Sequence, residues 1–294
     1  MPVWRQKYVC DIWSRSEMKD ALKTPGHWRA SIRDRGTWRA IRTAEGPYAG
    51  ASFVEWGSIT KGIVGTTACR TLDTTTPVAD VLPALPDKDM TVGDLVHHTS
   101  GLPRLPGKMT GVLFRDPYRA SPGRPLDVTE VVPVAPRGRY LYSNLGYALL
   151  GVVLDRVHGD WLDAARVHVL EPANIESVTL APDPADRVLP TRLFGRAIRP
   201  WSLSSSPYAA AGGVWSTFDD LCRYADWCLA DGLRSDRLVG WRSAEATVWI
   251  NGEVKASGAA IVRAGGKTAV VHALAHKPHA ADSIATAIIE RELR

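Results

Sequence analysis

An apolar stretch from Phe53 to Gly65 constrains the fold of this chain more than any other segment. We interpret it as a turn that leads into a helix beginning at Ser58, because small and β-branched residues follow, two glycines among them. Such a composition makes a weak helix in water but lets other elements pack closely around it. The sequence therefore predicts a helix through the middle of a domain, with Ser58 at the floor of a cleft.

Lys61 follows Ser58 by three residues, and positions three apart share one face of a helix. A serine hydroxyl needs a base beside it to act as a nucleophile, and a lysine becomes such a base when burial and nearby positive charge lower its pKa. The same spacing also joins Ser16 to Lys19 in a polar segment, so the motif alone is weak. The apolar surroundings favour Ser58 and Lys61 as nucleophile and base.

The overall composition is that of a globular protein: 294 residues, 45% apolar and 23% charged, enough for a large core or two lobes. No apolar run is long enough to span a membrane, and Met1–Lys7 lacks the apolar core of a secretory signal. These features predict a cytoplasmic protein with no membrane partner. The cysteines are expected to be free thiols: Cys10, Cys69, Cys222 and Cys228.

The positive charge is modest, with a net value of +5. Its one local group alternates along two short predicted strands and is interpreted as a solvated face of a hairpin: Arg29, Arg33, Arg35, Arg39 and Arg42. A nucleic-acid interface would need a basic patch interleaved with aromatic residues on a recognisable fold, and the sequence shows none. Nucleic acid is therefore not an expected partner.

Predicted strands lie towards both ends of the chain, and predicted helices fill the middle. The helices are expected at residues 11–24, 91–98, 144–157, 160–170, 218–229 and 281–294, and the strands at 27–33, 37–42, 247–251, 259–263 and 268–274. The simplest topology is one antiparallel sheet built from both chain ends and flanked by helices, with a mostly helical lobe inserted. The predicted domains are residues 1–72 with 208–294, and residues 73–207, with the active site in the cleft between them.

Four short segments in this order resemble one family. They are Ser58-Ile59-Thr60-Lys61, His98-Thr99-Ser100-Gly101-Leu102-Pro103, Tyr142-Ser143-Asn144 and Ala211-Gly212-Gly213-Val214-Trp215-Ser216-Thr217. Together they resemble the class C β-lactamase and D-alanyl-D-alanine carboxypeptidase-like serine hydrolases, a superfamily that includes esterases and acyltransferases. The resemblance runs from about residue 26 to the C-terminus. It implies a β-lactamase-like fold of the α/β (α+β) class.

The resemblance also implies roles for individual residues. Ser58 would be acylated, and Lys61 and Tyr142 would share the transfer of protons to and from it. A tyrosine can serve only if neighbouring cations stabilise its phenolate, and Lys61 is such a cation. Asn144 would hydrogen-bond Lys61 and a substrate carbonyl, while His98 belongs to a structural turn.

No cofactor is implied, and no metal is predicted, because the adjacent His97 and His98 lack further ligands at a suitable spacing.

The third family segment, Lys-Thr-Gly or His-x-Gly, is altered. Its equivalent here is Ile250-Asn251-Gly252, so an isoleucine stands where a cation would meet a substrate carboxylate. Gly252 keeps the close backbone approach, and the N–H groups of Glu253 and Ser58 would form the oxyanion hole. Losing a charge-assisted contact costs roughly 1.5–3 kcal/mol of binding, which argues against β-lactams and peptidyl-D-alanine and favours a neutral ester.

The sequence thus favours a serine acyl-enzyme catalyst acting on a small-molecule ester, as a transacylase in small-molecule biosynthesis or as an esterase. Its expected partners are an acyl donor and, for transacylation, an amine or alcohol acceptor. A β-lactamase or D-alanyl-D-alanine carboxypeptidase is the first alternative, and a non-catalytic binding module on the same fold is the second. The oligomeric state does not follow from the sequence.

Overall fold

The architecture is known from a computed structural model that describes residue 22 and residues 26–110, 116–119, 123–190, 198–230, 233–275, 277 and 279–294. The strands are β1 (His27–Asp34), β2 (Thr37–Arg42), β3 (Phe53–Glu55), β4 (Trp215–Thr217), β5 (Arg242–Ala244), β6 (Thr247–Val254), β7 (Ser257–Ala264) and β8 (Lys267–Leu274). The α-helices are α1 (Thr60–Thr71), α2 (Val78–Val81), α3 (Val92–Val96), α4 (Gly107–Thr110), α5 (Asn144–His158), α6 (Trp161–Ala165), α7 (Ala209–Gly212), α8 (Phe218–Leu229) and α9 (Ala280–Glu292). A π-helical turn, Arg166–Leu170, continues α6, and 3₁₀ turns cover Gly46–Tyr48, Gly57–Ile59, Val128–Glu130, Pro184–Asp186 and Ser235–Arg237.

Six of these strands form one antiparallel sheet in the order β2-β1-β8-β7-β6-β5. The sheet joins the two ends of the chain, since β1 pairs with β8, with Ala30 opposite Val271. The predicted topology is therefore confirmed, as are the hairpin at β1–β2 and the turn at Gly265–Gly266 between β7 and β8. The helix predicted at residues 11–24 lies outside the described residues apart from Leu22.

Helix α1 is buried from Thr60 to Ala68, as its composition predicts. A side chain at Gly62 would collide with the Tyr224 hydroxyl, and one at Gly65 would meet Val239 and the Tyr147 hydroxyl. The glycines thus let neighbouring elements approach the helix closely. Packing, rather than intrinsic propensity, stabilises α1.

Two parts of the fold differ from the sequence-based expectation. Phe53–Glu55 is not a turn but a short strand, which pairs with β4. The hairpin arginines are not a purely solvated face, because three of them form ion pairs with carboxylates on α8 and α9: Arg29 with Asp219, Arg33 with Asp226 and Arg39 with Glu292. These ion pairs connect the β1–β2 hairpin to α8 and α9, which are far from it in the sequence.

Apolar side chains fill both faces of the sheet. One core surrounds α1 and α5, and a second lies between the sheet and α9, where Ile32, Val262 and Ile284 meet. Among the described helices, none combines the length and apolar character needed to cross a bilayer. The described thiols, Cys69, Cys222 and Cys228, are free.

Candidate active site

Ser58 lies in the 3₁₀ turn between β3 and α1. The turn is possible because Gly57 adopts a positive φ of 51°, and a Cβ there would lie 2.8 Å from the backbone nitrogen of Glu253. The turn that carries Ser58 therefore presses directly against β6. This contact fixes the hydroxyl relative to the sheet.

Lys61 stands one helical turn further on, as its spacing predicts. Its Nζ donates to Ser58 Oγ at 3.1 Å and to the carbonyl oxygen of Ala211 at 2.5 Å. The side chain is buried, with 3% of its surface exposed. Burial lowers the pKa of the ammonium group, Arg104 lowers it further and Tyr142 opposes both. A lowered pKa is what a lysine needs in order to accept a proton near neutrality.

Tyr142 completes a three-membered hydrogen-bonded group, with its hydroxyl 2.6 Å from Ser58 Oγ. Burial raises the pKa of the phenol, but Lys61, the Ser58 hydroxyl and Arg104 outweigh it, so the net pKa lies below the ordinary value of 10. The Lys61 ammonium also lies over the Tyr142 ring, 4.9 Å from its centre. Cationic surroundings thus favour the phenolate, which can accept the serine proton.

Tyr142 is held by the start of α5. Ser143 caps that helix by accepting from Gly146 N at 2.7 Å, and its own backbone N–H donates to His98 Nδ1 at 3.2 Å. The His98 ring packs against the Tyr142 ring at a tilt of 40°, with 4.6 Å between centres, and burial together with nearby cations lowers the pKa of His98 to about 3. The neutral His98 imidazole accepts a hydrogen bond from the Ser143 backbone and so supports the segment that carries Tyr142. The role of this contact is structural.

Asn144 requires a correction. It was expected to hydrogen-bond Lys61, but its Nδ2 donates to the Tyr118 hydroxyl at 3.2 Å, and its Oδ1 is buried without a partner among the described residues. The Ala211 carbonyl takes the Lys61 donor instead. The free Oδ1 is left to accept from another group, such as a ligand N–H.

Strand β6 brings two backbone N–H groups together. A Cβ at Gly252 would collide with the Trp56 carbonyl and lie 2.5 Å from Ser58 N, so only glycine allows this approach. The backbone nitrogens of Ser58 and Glu253 consequently both lie where the Ser58 turn touches β6. An oxyanion hole formed by these two backbone N–H groups stays a prediction, which this close approach permits.

The side chains of β6 alternate between the cleft and the core. Asn251 and Glu253 line the cleft, together with Trp249. Ile250 points the other way: it is 3% exposed and packs against Gly62 of α1. The structure therefore does not place the Ile250 side chain where it could contact a substrate in this cleft.

The cleft has a volume of about 670 Å³, and Ser58, Lys61 and Tyr142 line it. Sequence reasoning missed two cations that also line it, Arg104 after the His98 segment and Arg242 on β5. The isoleucine at position 250 therefore does not leave the cleft without positive charge, because Arg104 and Arg242 line it from other elements. No sequence motif marks either arginine, although Arg104 directly follows the recognised His98–Pro103 segment.

The described residues contain no group of three or more histidine, cysteine or acidic side chains arranged to hold a metal ion.

Comparisons with known proteins agree with this fold. Solved structures with the same fold include a class C beta-lactamase from Rhodobacter sphaeroides (18% identity, TM-score 0.68, covering 94% of this chain and 99% of that one). A beta-lactamase from Sulfitobacter sp. EE-36 (19%, TM-score 0.65, 96% and 99%) and SurE (20%, TM-score 0.66, 93% and 73%) are similar too. A search of curated proteins found no significant match. The Beta-lactamase family model matches residues 17–280, so the chain belongs to the beta-lactamase family, as the resemblance predicted.

Proposed function

We propose that this protein is a serine acyl-enzyme catalyst that acts on a small-molecule ester, as a transacylase in small-molecule biosynthesis or as an esterase. One observation carries the proposal: Ser58 Oγ lies 2.6 Å from the Tyr142 hydroxyl and 3.1 Å from Lys61 Nζ, at a cleft large enough for a small substrate.

The proposed reaction follows from these contacts. Tyr142, as phenolate beside the Lys61 ammonium, accepts the Ser58 proton while Oγ attacks the ester carbonyl carbon. The N–H groups of Ser58 and Glu253 stabilise the negative charge on the carbonyl oxygen. Collapse of the tetrahedral intermediate breaks the ester C–O bond, and Tyr142 returns the proton to the departing alcohol. The acyl group remains on Ser58.

The fate of the acyl group separates the two activities. Water releases a carboxylic acid, whereas an amine or alcohol acceptor receives the acyl group as an amide or ester. The acceptor, or water, gives up its proton to Tyr142 as it attacks the acyl carbon; the bond from that carbon to Ser58 Oγ then breaks, and Tyr142 returns the proton to Oγ. SurE has been solved with D-Leu, which offers both an amine and a carboxylate, and this supports including amino acids among the acceptors tested.

The test is intact-protein mass spectrometry after incubation with a panel of esters, with and without amines and amino acids. We expect a mass increase equal to the acyl group on the wild type and none on the Ser58→Ala variant. Products released with and without acceptor then distinguish transacylation from hydrolysis. An acylated Ser58→Ala protein, or no adduct from any ester or from a fluorophosphonate probe, would contradict the proposal.

The second candidate is a β-lactamase or D-alanyl-D-alanine carboxypeptidase, favoured by the structural neighbours and by the cations in the cleft. Turnover of nitrocefin faster than that of every ester would select it. A non-catalytic binding module is the remaining alternative. It would be selected if the folded protein failed to react with any acylating probe.

A further inference from the structure

An imidazole at the cleft lies near two carboxylates. The ring nitrogen Nδ1 of His279 is 3.7 Å from Glu253 Oε2 and 3.8 Å from Asp282 Oδ2. His279 and Glu253 line the same cleft as Ser58. The acylation of Ser58 uses the backbone N–H of Glu253 but none of these three side chains. They form a titratable cluster, which we call the His279 cluster, at the cleft that holds the nucleophile.

The backbone of His279 is held at the start of α9. Its N–H donates to Glu253 Oε1 at 3.1 Å, and its carbonyl oxygen accepts from the backbone N–H of Ser283 at 3.0 Å and from the Ser283 hydroxyl at 2.9 Å. Its φ of 59° lies in the left-handed region, which residues with a side chain rarely adopt. Such a conformation persists only where the surrounding contacts maintain it, and it is often found at functional sites.

Glu253 connects the imidazole to the turn that carries the nucleophile. Its backbone nitrogen lies 2.8 Å from the position that a Cβ on Gly57 would take, so it is in contact with the turn at Ser58. Its carboxylate accepts from His279 at the other end of the side chain. A single glutamate therefore spans the distance between the nucleophile turn and the His279 backbone.

The two ring nitrogens of His279 have different surroundings. Nδ1 lies near both carboxylates, which favour a proton on it, whereas Nε2 has no hydrogen-bond partner among the described residues. In the neutral ring, Nε2 is then the proton acceptor. The Asp282 carboxylate raises the pKa of His279, partial burial and Arg242 lower it, and Glu253 raises it, so that the net pKa lies above 6.5. A higher pKa makes Nε2 a stronger base.

An amine acceptor needs one more proton acceptor than water does. An alkyl amine is an ammonium ion at neutral pH, as the side chain of lysine is. It loses one proton before its nitrogen can attack and a second as the amide forms. Tyr142 accounts for the second proton, which it returns to Ser58 Oγ. Water and alcohols carry no such additional proton, so only an amine requires another base.

We propose that His279 accepts this additional proton, so that the cleft takes amines as acyl acceptors and releases amides. The inference rests on the proposed function and names the acceptor class of the same cleft. The ammonium ion passes one proton to Nε2, and its neutral nitrogen attacks the acyl carbon and gives a second proton to Tyr142. The bond from that carbon to Ser58 Oγ breaks, and Tyr142 protonates Oγ. His279 then releases its proton to solvent.

The carboxylates of the His279 cluster favour this transfer. The positive charge moves from the ammonium nitrogen to the imidazole, and Glu253 and Asp282 attract it in both positions. No separation of charge is therefore needed in the step. The cluster serves as a proton acceptor in acyl transfer to an amine, while hydrolysis proceeds through Tyr142 alone.

The test measures the ratio of amide to acid released from p-nitrophenyl pentanoate in the presence of an amine. Two amines are compared at about pH 7.5, n-butylamine, which is protonated, and methoxyamine, which is not. His279→Gln should lower the ratio for butylamine by about 10- to 100-fold, because the ammonium ion keeps its proton, and the ratio for methoxyamine by less than about threefold. The rate of acylation does not enter the ratio, because amide and acid arise from one acyl-enzyme.

The matched control is His158→Gln. It removes a histidine at the end of α5, whose Nε2 contacts the Thr71 hydroxyl at 3.1 Å and which does not line the cleft. Both ratios should stay unchanged in this variant.

The dependence of the ratio on pH gives a second measurement. For butylamine the ratio should rise to a plateau as His279 loses its proton, whereas attack by free amine without a base would rise without a plateau up to the pKa of the amine. Asp282→Asn should move the midpoint of this rise to lower pH by a fraction of a unit, because the carboxylate that raises the pKa of His279 is lost.

Three outcomes would overturn the inference while acylation of Ser58 stays intact: an unchanged butylamine ratio in His279→Gln, an equal loss for both amines, or no amide from the wild type. Failure of the proposed function gives a different result, since no acyl-enzyme forms and neither product is released, and the inference fails with it. Acylation of His279→Gln shows that this variant is folded. If it is not folded, Asp282→Asn decides, and a midpoint that does not move to lower pH rejects the inference.

Discussion

Within the described residues, two hydrogen-bonded groups of similar composition each join a serine, a tyrosine and a nitrogen base. The cleft group is Ser58, Lys61 and Tyr142, joined by contacts of 2.6 and 3.1 Å. The buried group is Ser257, His272 and Tyr48, in which the His272 ring contacts the Tyr48 hydroxyl at 2.8 Å and Ser257 Oγ at 3.1 Å. By distance alone, the two groups are nearly indistinguishable.

Their surroundings differ. His272 is fully buried, and burial lowers its pKa to about 3, while burial raises the pKa of Tyr48 well above its ordinary value. In the cleft group, nearby cations lower the pKa of Tyr142 in spite of burial. Hydrogen-bond lengths therefore do not identify a nucleophile. A nucleophile is identified by its access from a cleft and by a cation that stabilises the deprotonated base beside it.

Removing each serine hydroxyl should separate the two groups by the largest effect. Ser58→Ala should lower ester turnover by at least about 10³-fold, because no covalent intermediate can form. Ser257→Ala should leave acyl-enzyme formation unchanged, because Ser257 is 3% exposed and has no route to substrate. Turnover and intact mass measure both effects. Loss of acylation in folded Ser257→Ala would show that the buried group matters for catalysis.

The tyrosines give the second test. Tyr142→Phe removes the proton acceptor and should lower kcat by about 10²- to 10⁴-fold without loss of stability. Tyr48→Phe should preserve kcat and instead reduce the free energy of unfolding by about 1–3 kcal/mol, because the buried His272 ring loses a partner. Steady-state kinetics and urea unfolding on both variants separate the loss of kcat from the loss of stability. A lower kcat in a stable Tyr48→Phe variant would show that the buried group takes part in catalysis.

Sequence reasoning located the elements whose signals are local. Ser143 before an apolar run predicts the start of α5, Gly265 between alternating strands predicts a tight turn, and the spacing of Ser58 and Lys61 predicts their hydrogen bond. In each case the residues that determine the structure are close together in the chain. The family segments then predicted the fold, which the family match confirms.

Features formed by residues far apart in the sequence could not be predicted in this way. The strand β3 is three residues long and exists because it pairs with β4, more than 150 residues later. Arg104 and Arg242 reach one cleft from segments about 140 residues apart, with no pattern to connect them. Asn144 meets Tyr118, which lies in a turn 26 residues earlier in the chain, instead of Lys61. Tertiary packing alone determines such contacts.

The third test uses pH and the buried group. The folded pKa of His272, about 3, lies below the unfolded value near 6.5, so its contribution to stability is complete above pH 6.5 and is lost as pH falls towards 3. Between pH 7.5 and 5 we expect the free energy of unfolding to fall by about 2 kcal/mol from this histidine. His272→Asn should reduce that pH dependence. Urea unfolding at both values measures it, and an unchanged slope would contradict a neutral, buried His272.

The cleft group also depends on its cations, and the effect of removing one of them should be small. Arg104 lowers the pKa values of both Lys61 and Tyr142. Since the proposed base must be deprotonated, kcat/KM for a neutral ester should rise with pH to a plateau. The pH at the midpoint of this rise reports the titration of the coupled pair Lys61 and Tyr142.

Arg104→Gln should move that midpoint to higher pH by a fraction of a unit, because one favourable charge on the phenolate is lost while Lys61 remains. The substrate is p-nitrophenyl pentanoate, because a neutral ester has no charge for Arg104 to attract. Arg39→Gln, which removes an equal charge at the far edge of the sheet, should leave the midpoint unchanged. A midpoint that fails to move, or moves to lower pH, would mean that Arg104 does not act on the proton acceptor. Lys61 would then be the cation on which the difference between the two groups depends.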